Sequence, residues 1–206
     1  MELFKYKDYD DYVESQTAGN KLKLHTHSGV GPEVIAEIRK RIPFVSHILC
    51  HGTRAGWEQK HFKAAYGDNT YVMGTEISET ATQFPDTIQW DFSKQKDEWV
   101  GKYDIVFSNS FDHSITPEET LHTWMAQLAS QGSLIMELHL AIEGWKPTKT
   151  DPLSYVRSDI VDLVDRLDYK IVDEWKSPAF RDHRGRFGKY NYGRPVSYTH
   201  LRAHET

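Results

Sequence analysis

The sequence predicts an α/β domain, doubly wound about a mostly parallel sheet of about six to seven strands with helices on both faces, and three observations carry that prediction. Short apolar runs alternate along the chain with segments of helical period. The stretch 45–58, Val-Ser-His-Ile-Leu-Cys-His-Gly-Thr-Arg-Ala-Gly-Trp-Glu, reads as a strand, a glycine-bearing turn and the start of an amphipathic helix. The next strand, 70–75, ends on Glu76, twenty residues beyond Gly56. In doubly wound folds a carboxylate at that place accepts hydrogen bonds from a ribose diol. Two glycines after a strand occur in many turns, but the order strand, glycine turn, helix, strand, acid is much less expected by chance than any one part.

The elements follow in order. Residues 1–30 are polar, tyrosine-rich and without clear period, so they read as an arm or lid, and the folded unit is expected over 31–195. Pro32 suits the first turn of a helix whose buried stripe is Val34, Ile35, Ile38 and Ile42 before Pro43 stops it. Strands are expected at about 45–50, 70–75, 87–90 and 104–109. After the first, Trp57, Phe62, Ala65 and Tyr66 recur at helical spacing until Gly67 closes the helix. Segments 78–84 and 97–100 leave room for only a turn or two each. The clearest helix is 117–129, with Thr116 as N-cap, Glu119 completing a capping box, and Leu121, Trp124, Met125 and Leu128 on one face. Gly132 then releases the chain into a strand at 133–140. A helix over about 152–167, capped by Asp151, presents Val156, Ile160, Leu163, Val164 and Leu167 inward, and 169–175 is the next strand. Trp57, Trp124 and Trp175 fall on apolar faces and read as core. The last residues, Val-Ser-Tyr-Thr-His-Leu-Arg-Ala-His-Glu-Thr, resemble translated sequencing-adapter read-through, so 196–206 reads as a non-native tail, with a genuine basic tail as the alternative. On the first reading the native final strand, the antiparallel partner of 169–175, is cut short or replaced by foreign sequence, which leaves an unpaired edge.

Bulk properties bound the function. A chain of 206 residues fits one domain able to bury a core. A net charge of −5 argues against general polyanion binding, so no nucleic-acid partner is expected. A single cysteine excludes an internal disulfide, and no apolar run approaches the ~20 residues of a membrane span. The amino terminus has no apolar signal core, so a cytoplasmic location is the expectation.

Two further strand ends complete the pattern: Ile88-Gln89-Trp90-Asp91-Phe92, and the run 103–113 that closes in Ser-Asn-Ser-Phe-Asp-His. With these the chain resembles the class I S-adenosylmethionine-dependent methyltransferases, which have a Rossmann-like fold, over about Pro32 to Trp175. The most specific pieces are Cys-His-Gly-Thr-Arg-Ala-Gly (50–56) and Ser-Asn-Ser-Phe-Asp-His (108–113). It looks closest to small methyltransferase-like proteins with a Gly-Thr-Arg-x-Gly turn and an Asn-Ser-x-Asp-His strand end. The resemblance implies S-adenosyl-L-methionine as cofactor, with Gly52, Thr53 and Gly56 along its methionine part, Glu76 on its ribose, and Asp91 with Phe92 at its adenine. The sequence departs from the pattern at Cys50, where the family has an acid, and at Arg54, where it has a glycine. An arginine there either holds the cofactor carboxylate or marks a degenerate site.

Methyl transfer from a sulfonium is an in-line displacement, in which positioning does much of the work and a base is optional. A hydroxyl acceptor needs one, and Asp112 and His113 stand where the fourth strand opens onto the reactive end. Asp112 capping a turn and His113 packing on the rim is the alternative. Asn109 is a candidate for the methionine amino group or the acceptor. Glu137 and His139 share a strand face, and His139 either borders the acceptor pocket or is a polar rim group. His25 and His27 have the spacing of a metal pair, but the chain has eleven histidines and no accompanying cluster, so no metal is assigned. The basic run 181–190 reads as a solvated hairpin loop or a phosphate contact. The expected activity is methyl transfer to a small-molecule or glycan-like acceptor. One rival is a nicotinamide-dependent oxidoreductase, whose Gly-x-Gly-x-x-Gly turn would have Arg54 in its second glycine's place. The other is a non-catalytic protein of the same architecture.

Overall fold

The computed structural model describes residues 1–25, 30–140, 146–176 and 196–203. In chain order its elements are β1 (Glu2–Leu3), α1 (Tyr9–Lys23), α2 (Pro32–Arg41), β2 (His47–His51), α3 (Trp57–Tyr66), β3 (Tyr71–Glu76), β4 (Thr87–Gln89), β5 (Tyr103–Ser108), α4 (Pro117–Ala126), β6 (Leu128–His139), β7 (Leu153–Ser154), α5 (Arg157–Arg166), β8 (Tyr169–Lys176) and β9 (Val196–Ala203). Short 3-10 turns occupy Glu79–Gln83, Asp97–Trp99 and Phe111–His113. The main sheet has seven strands in the order β4-β3-β2-β5-β6-β9-β8. The first five are parallel, and β9 runs antiparallel to both β6 and β8. The predicted fold class is therefore the observed one. Strand order reverses between β2 and β5, the place where open α/β sheets form a ligand crevice.

Alternation along the parallel strands builds one core on each face. Ile48, Cys50, Ile105, Phe107 and Ile135 meet Val34, Ile35 and Ile38 of α2 and Phe62 of α3. Leu49, Val106, Leu134, Met136 and Leu138 meet Leu121 and Trp124 of α4 and Ile160, Leu163 and Val164 of α5. Trp124 is core as expected, and Trp175 packs, partly buried, against the first of these clusters. Trp57 is not core: it lies half-buried, with Lys60 Nζ 5.1 Å from its ring centre and His61 stacked beside it, because the inward positions of α3 belong to Glu58, Gln59 and Phe62.

Several boundaries differ from the predicted ones. Residues 9–23, read as an arm without period, form α1, capped by the Asp8 carboxylate accepting from Asp11 N–H. α4 ends at Ala126, because the Gln127 carbonyl accepts from the N–H groups of Lys102 and Tyr103 and draws the chain into β6, so Leu128 is a strand residue. Thr116 holds the N-cap position without a side-chain bond, and Glu119 completes no capping box. α5 begins at Arg157, not near Pro152. Its first turn is closed by Asp159, whose carboxylate accepts from Val156 N–H at 2.9 Å, while Leu153–Ser154 pair with β1. Asp151 is therefore no cap. Residues 196–203 fill the slot between β6 and β8, so of the two expected outcomes, a shortened strand or a replaced one, the first does not occur and the edge is paired. His27 and the run 181–190 lie outside the described residues.

Candidate functional site

The carboxyl ends of β2, β3, β4 and β5 open onto one cleft. Its floor and sides carry Gly52 and Arg54 from the turn after β2, Glu76 at the end of β3 and Ile77 after it, Asp91 and Phe92 beyond β4, and Ser110 and His113 beyond β5. The opposite wall is α1, which contributes Tyr12, Gln16, Gly19 and Asn20, joined by Thr150. Of the sequence-predicted residues, Gly52, Arg54, Glu76, Asp91, Phe92 and His113 thus share a wall.

The turn is tight. Gly52 and Gly56 have φ of 72° and 70°, and Arg54, at 47°, is a non-glycine residue in the left-handed region. A side chain at Gly52 would bring its Cβ within 2.5 Å of Ser110 Oγ, so glycine is required there for space as well as for conformation. Arg54 N–H donates to Glu76 Oε2 at 3.1 Å, which anchors the turn to the next strand, and Ser78 N–H donates to Glu76 Oε1 at 3.1 Å. Each oxygen of Glu76 so keeps acceptor capacity for a hydroxyl. The residue is 7% exposed, and burial pushes its carboxyl above the usual range against the pull of Ser78 and Arg54.

Asp91 is already engaged. Its Oδ1 accepts from Ser93 N–H and Oγ–H, and its Oδ2 accepts from the Tyr9 hydroxyl of α1 at 2.6 Å. Phe92 packs edge-on against Trp124, with ring centres 5.4 Å apart. At the other end of the cleft His113 Nδ1 is 2.8 Å from Gln16 Oε1, and Tyr12 OH donates to the His113 carbonyl at 3.2 Å, so α1 grips this residue twice. Asp112 lies between His113 Nε2 at 3.9 Å and His139 Nδ1 at 3.6 Å, and His139 Nε2 is 3.8 Å from Glu137 Oε1. Burial opposes charge on both Asp112 and His139, yet their neighbours outweigh it: His113 and His139 lower the carboxyl, and Asp112 and Glu137 raise the imidazole.

The remaining candidates stand behind this wall. Cys50 is fully buried in the α2/α3 core, because β2 runs one residue further, to His51, and alternation turns Cys50 inward. Thr53 is buried and accepts from Gln59 Nε2, and Gly56 faces Thr87, Gln59 and Phe84. Asn109 donates to Glu58 Oε1 at 3.4 Å; burial pushes Glu58 up to about 7, and its Oε2 has no hydrogen-bond partner. Sequence reasoning missed the α1 wall. Its signal was Asp8, Asp10 and Asp11 at one end of a 15-residue segment and Lys21 and Lys23 at the other, the charge order that suits a helix dipole.

No family model matches the chain, and no curated protein matches it in sequence. Solved structures do match it in shape. A Burkholderia thailandensis 1,6-didemethyltoxoflavin-N1-methyltransferase, with 1,6-didemethyltoxoflavin and S-adenosylhomocysteine bound, superposes with a TM-score of 0.68 at 13% identity, covering 95% of this chain and 87% of that one. A SAM-dependent methyltransferase from Leishmania major gives 0.63 at 10% identity, covering 94% and 82%. The [4+2]-cyclase SpnF gives 0.63 at 11%, covering 94% and 93%. The chain has the fold seen in S-adenosylmethionine-dependent methyltransferases of class I.

Proposed function

We propose that the protein is an S-adenosylmethionine-dependent methyltransferase acting on a small-molecule or glycan-like acceptor. The observation that carries this reading is the convergence of Gly52 and Glu76 on one cleft at the switch point of the sheet, with both carboxylate oxygens of Glu76 able to accept further hydrogen bonds. The residues fit the cofactor at the turn, where Gly52 leaves the backbone open to a close approach, and at Glu76, which would accept from the ribose hydroxyls. Phe92 would flank the adenine, and Asp91 would take its amino group once Tyr9 gives way. Arg54 is the candidate for the cofactor carboxylate, and Asn109, bonded to Glu58 behind the wall, for the methionine amino group or the acceptor. When bound, the cofactor supplies an electrophilic methyl group on a sulfonium.

The chain's own part is to hold the acceptor in line and exclude water, for which α1 forms the outer wall. Asp112 and His113 are the groups we assign to the proton of a hydroxyl acceptor, and His139, on the rim beside Asp112, to acceptor binding. A nicotinamide dinucleotide suits the turn less well, since Arg54 crowds the approach of a pyrophosphate. Fold does not decide the chemistry, since SpnF, a [4+2]-cyclase, shares it. Calorimetric titration with S-adenosylhomocysteine decides: binding is expected in the full chain, lost in Glu76→Ala and retained in Glu137→Ala. Binding of NADH in its place would favour the oxidoreductase, and binding of neither the non-catalytic reading. Among the described residues no helix is long and apolar enough to cross a membrane.

A further inference from the structure

We infer that the acceptor end of the cleft binds a divalent transition-metal ion through Asp112, His113 and Asp151. One ligand atom from each of these side chains lies within 4.8 Å of the other two. They come from separate parts of the chain: Asp112 and His113 sit on the 3-10 turn after β5, and Asp151 precedes β7. Gln16 Oε1, 2.8 Å from His113 Nδ1, can only accept, so Nδ1 carries the proton in the neutral ring and Nε2 presents a bare lone pair. Metal-bound histidines are oriented in this way, by an acceptor on the nitrogen that does not bind the ion.

That lone pair faces Asp112 Oδ1 across 3.9 Å, and the other oxygen of Asp112 stands 3.6 Å from His139 Nδ1. Both separations are too long for hydrogen bonds. Asp112 is only 7% exposed, and His139 partners one oxygen of its carboxylate, which leaves the oxygen towards His113 for an ion. An ion with bonds of about 2.1 Å to each atom would bridge the 3.9 Å between two groups that otherwise meet lone pair to lone pair. One imidazole and two carboxylates, with no thiolate, suit Mn²⁺, Fe²⁺, Co²⁺ or Zn²⁺ better than Ca²⁺. His113 lines the cleft, so the open coordination positions face the space an acceptor would enter. There the ion would hold acceptor oxygens and make a coordinated hydroxyl more acidic, so that in the loaded protein the ion, and not His113 as a base, would assist loss of the acceptor's proton. That consequence rests on the methyltransferase reading; the binding of the ion does not.

The test titrates the full chain with Mn²⁺, reading free ion by electron paramagnetic resonance and heat by calorimetry. One saturable site is expected, weakened at least tenfold in Asp151→Asn and in His113→Ala and unchanged in His122→Ala, whose ring lies away from the cleft against Tyr169. S-adenosylhomocysteine binding should persist in Asp151→Asn, which separates failure of the metal site from failure of the cofactor site and shows that the variant folds. Absence of saturable Mn²⁺ binding, or binding that Asp151→Asn and His113→Ala leave unchanged, overturns the inference.

Discussion

Three single residues control the centre of the sheet, each through a different force. Gly52 answers to sterics and Gly56 almost only to conformation, since a Cβ at Gly52 would lie 2.5 Å from Ser110 Oγ whereas one at Gly56 meets nothing closer than 3.6 Å. Gly52→Ala should therefore cost about 2 to 4 kcal/mol, backbone strain plus overpacking, and Gly56→Ala about 1 to 2 kcal/mol. Urea unfolding measures both, and adding Ser110→Gly should recover the steric part of the first. His51, next to Gly52, answers to electrostatics. Its Nε2–H donates to Gln127 Oε1 at 2.8 Å, its Nδ1 accepts from Thr75 Oγ1 at 3.0 Å, and its ring stacks on Trp124. Burial lowers its pKa to about 4, below the usual value near 6.5. Because the unfolded chain takes up this proton first, the neutral ring's contribution is complete above about pH 6.5 and is lost as the pH falls towards 4. The loss is about 1 kcal/mol at pH 5.5 and about 3 kcal/mol in full. Urea midpoints at pH 7.5, 6.5 and 5.5 should show this slope in the parent chain and a shallower one in His51→Gln.

At the scale of elements, what was legible in the sequence was what local pattern controls. The strand, turn and helix of 47–66 and the two-sided burial of β2 and β5 follow from alternation and glycine placement. The misread boundaries are those that distant partners decide: Gln127 is captured by Lys102 and Tyr103, and 153–154 by the far amino terminus. α1 escaped for another reason, since its only buried residues are Tyr12 and Asn20 and it has almost no apolar stripe to read. Polar contacts hold it instead, among them Tyr9 to Asp91, Gln16 to His113 and Thr80 Oγ1 to Asn20 Oδ1 at 2.9 Å. Half of the candidate site was thus legible, the half on strand ends, while the wall opposite was not. The Tyr9 contact makes a prediction about this helix. If Asp91 takes an adenine amino group, the Tyr9 hydroxyl competes for the same oxygen. Tyr9→Phe should then tighten S-adenosylhomocysteine binding by about three- to tenfold, the worth of one hydrogen bond. Calorimetry on the two chains checks it, and weaker binding in Tyr9→Phe would mean that the hydroxyl helps to hold the ligand.

For the whole molecule the decisive element is β9. Five parallel strands fold from neighbouring units of the chain, but β8 joins them only through β9, which pairs with β6 from Leu134 to His139 and with β8 from Tyr169 to Lys176. The residues that form it, 196–203, are the ones whose sequence reads as foreign. Backbone pairing explains how such a segment can serve, because a ladder between two open strands is made by main-chain groups and asks little of side-chain identity. A chain ending at Pro195 would leave β6 with an open edge in the middle of the fold and detach β8 from the sheet, leaving it side-chain contacts such as those of Tyr169 with His122 and of Arg41 with Asp173 and Trp175. With each cross-strand pair worth roughly 0.2 to 1 kcal/mol, loss of two ladders amounts to several kcal/mol, or about 10 °C in melting temperature for a domain of this size. The truncated chain should also associate through its exposed edge, giving concentration-dependent elution on size exclusion. Replacing Thr199, in the middle of both ladders, by proline in the full-length chain should reproduce the effect in smaller measure, because it removes one backbone donor without changing length. If the chain ending at Pro195 melts at the parent's temperature and stays monomeric, the slot between β6 and β8 is not filled by 196–203 in solution, and the outer strand is held by something else.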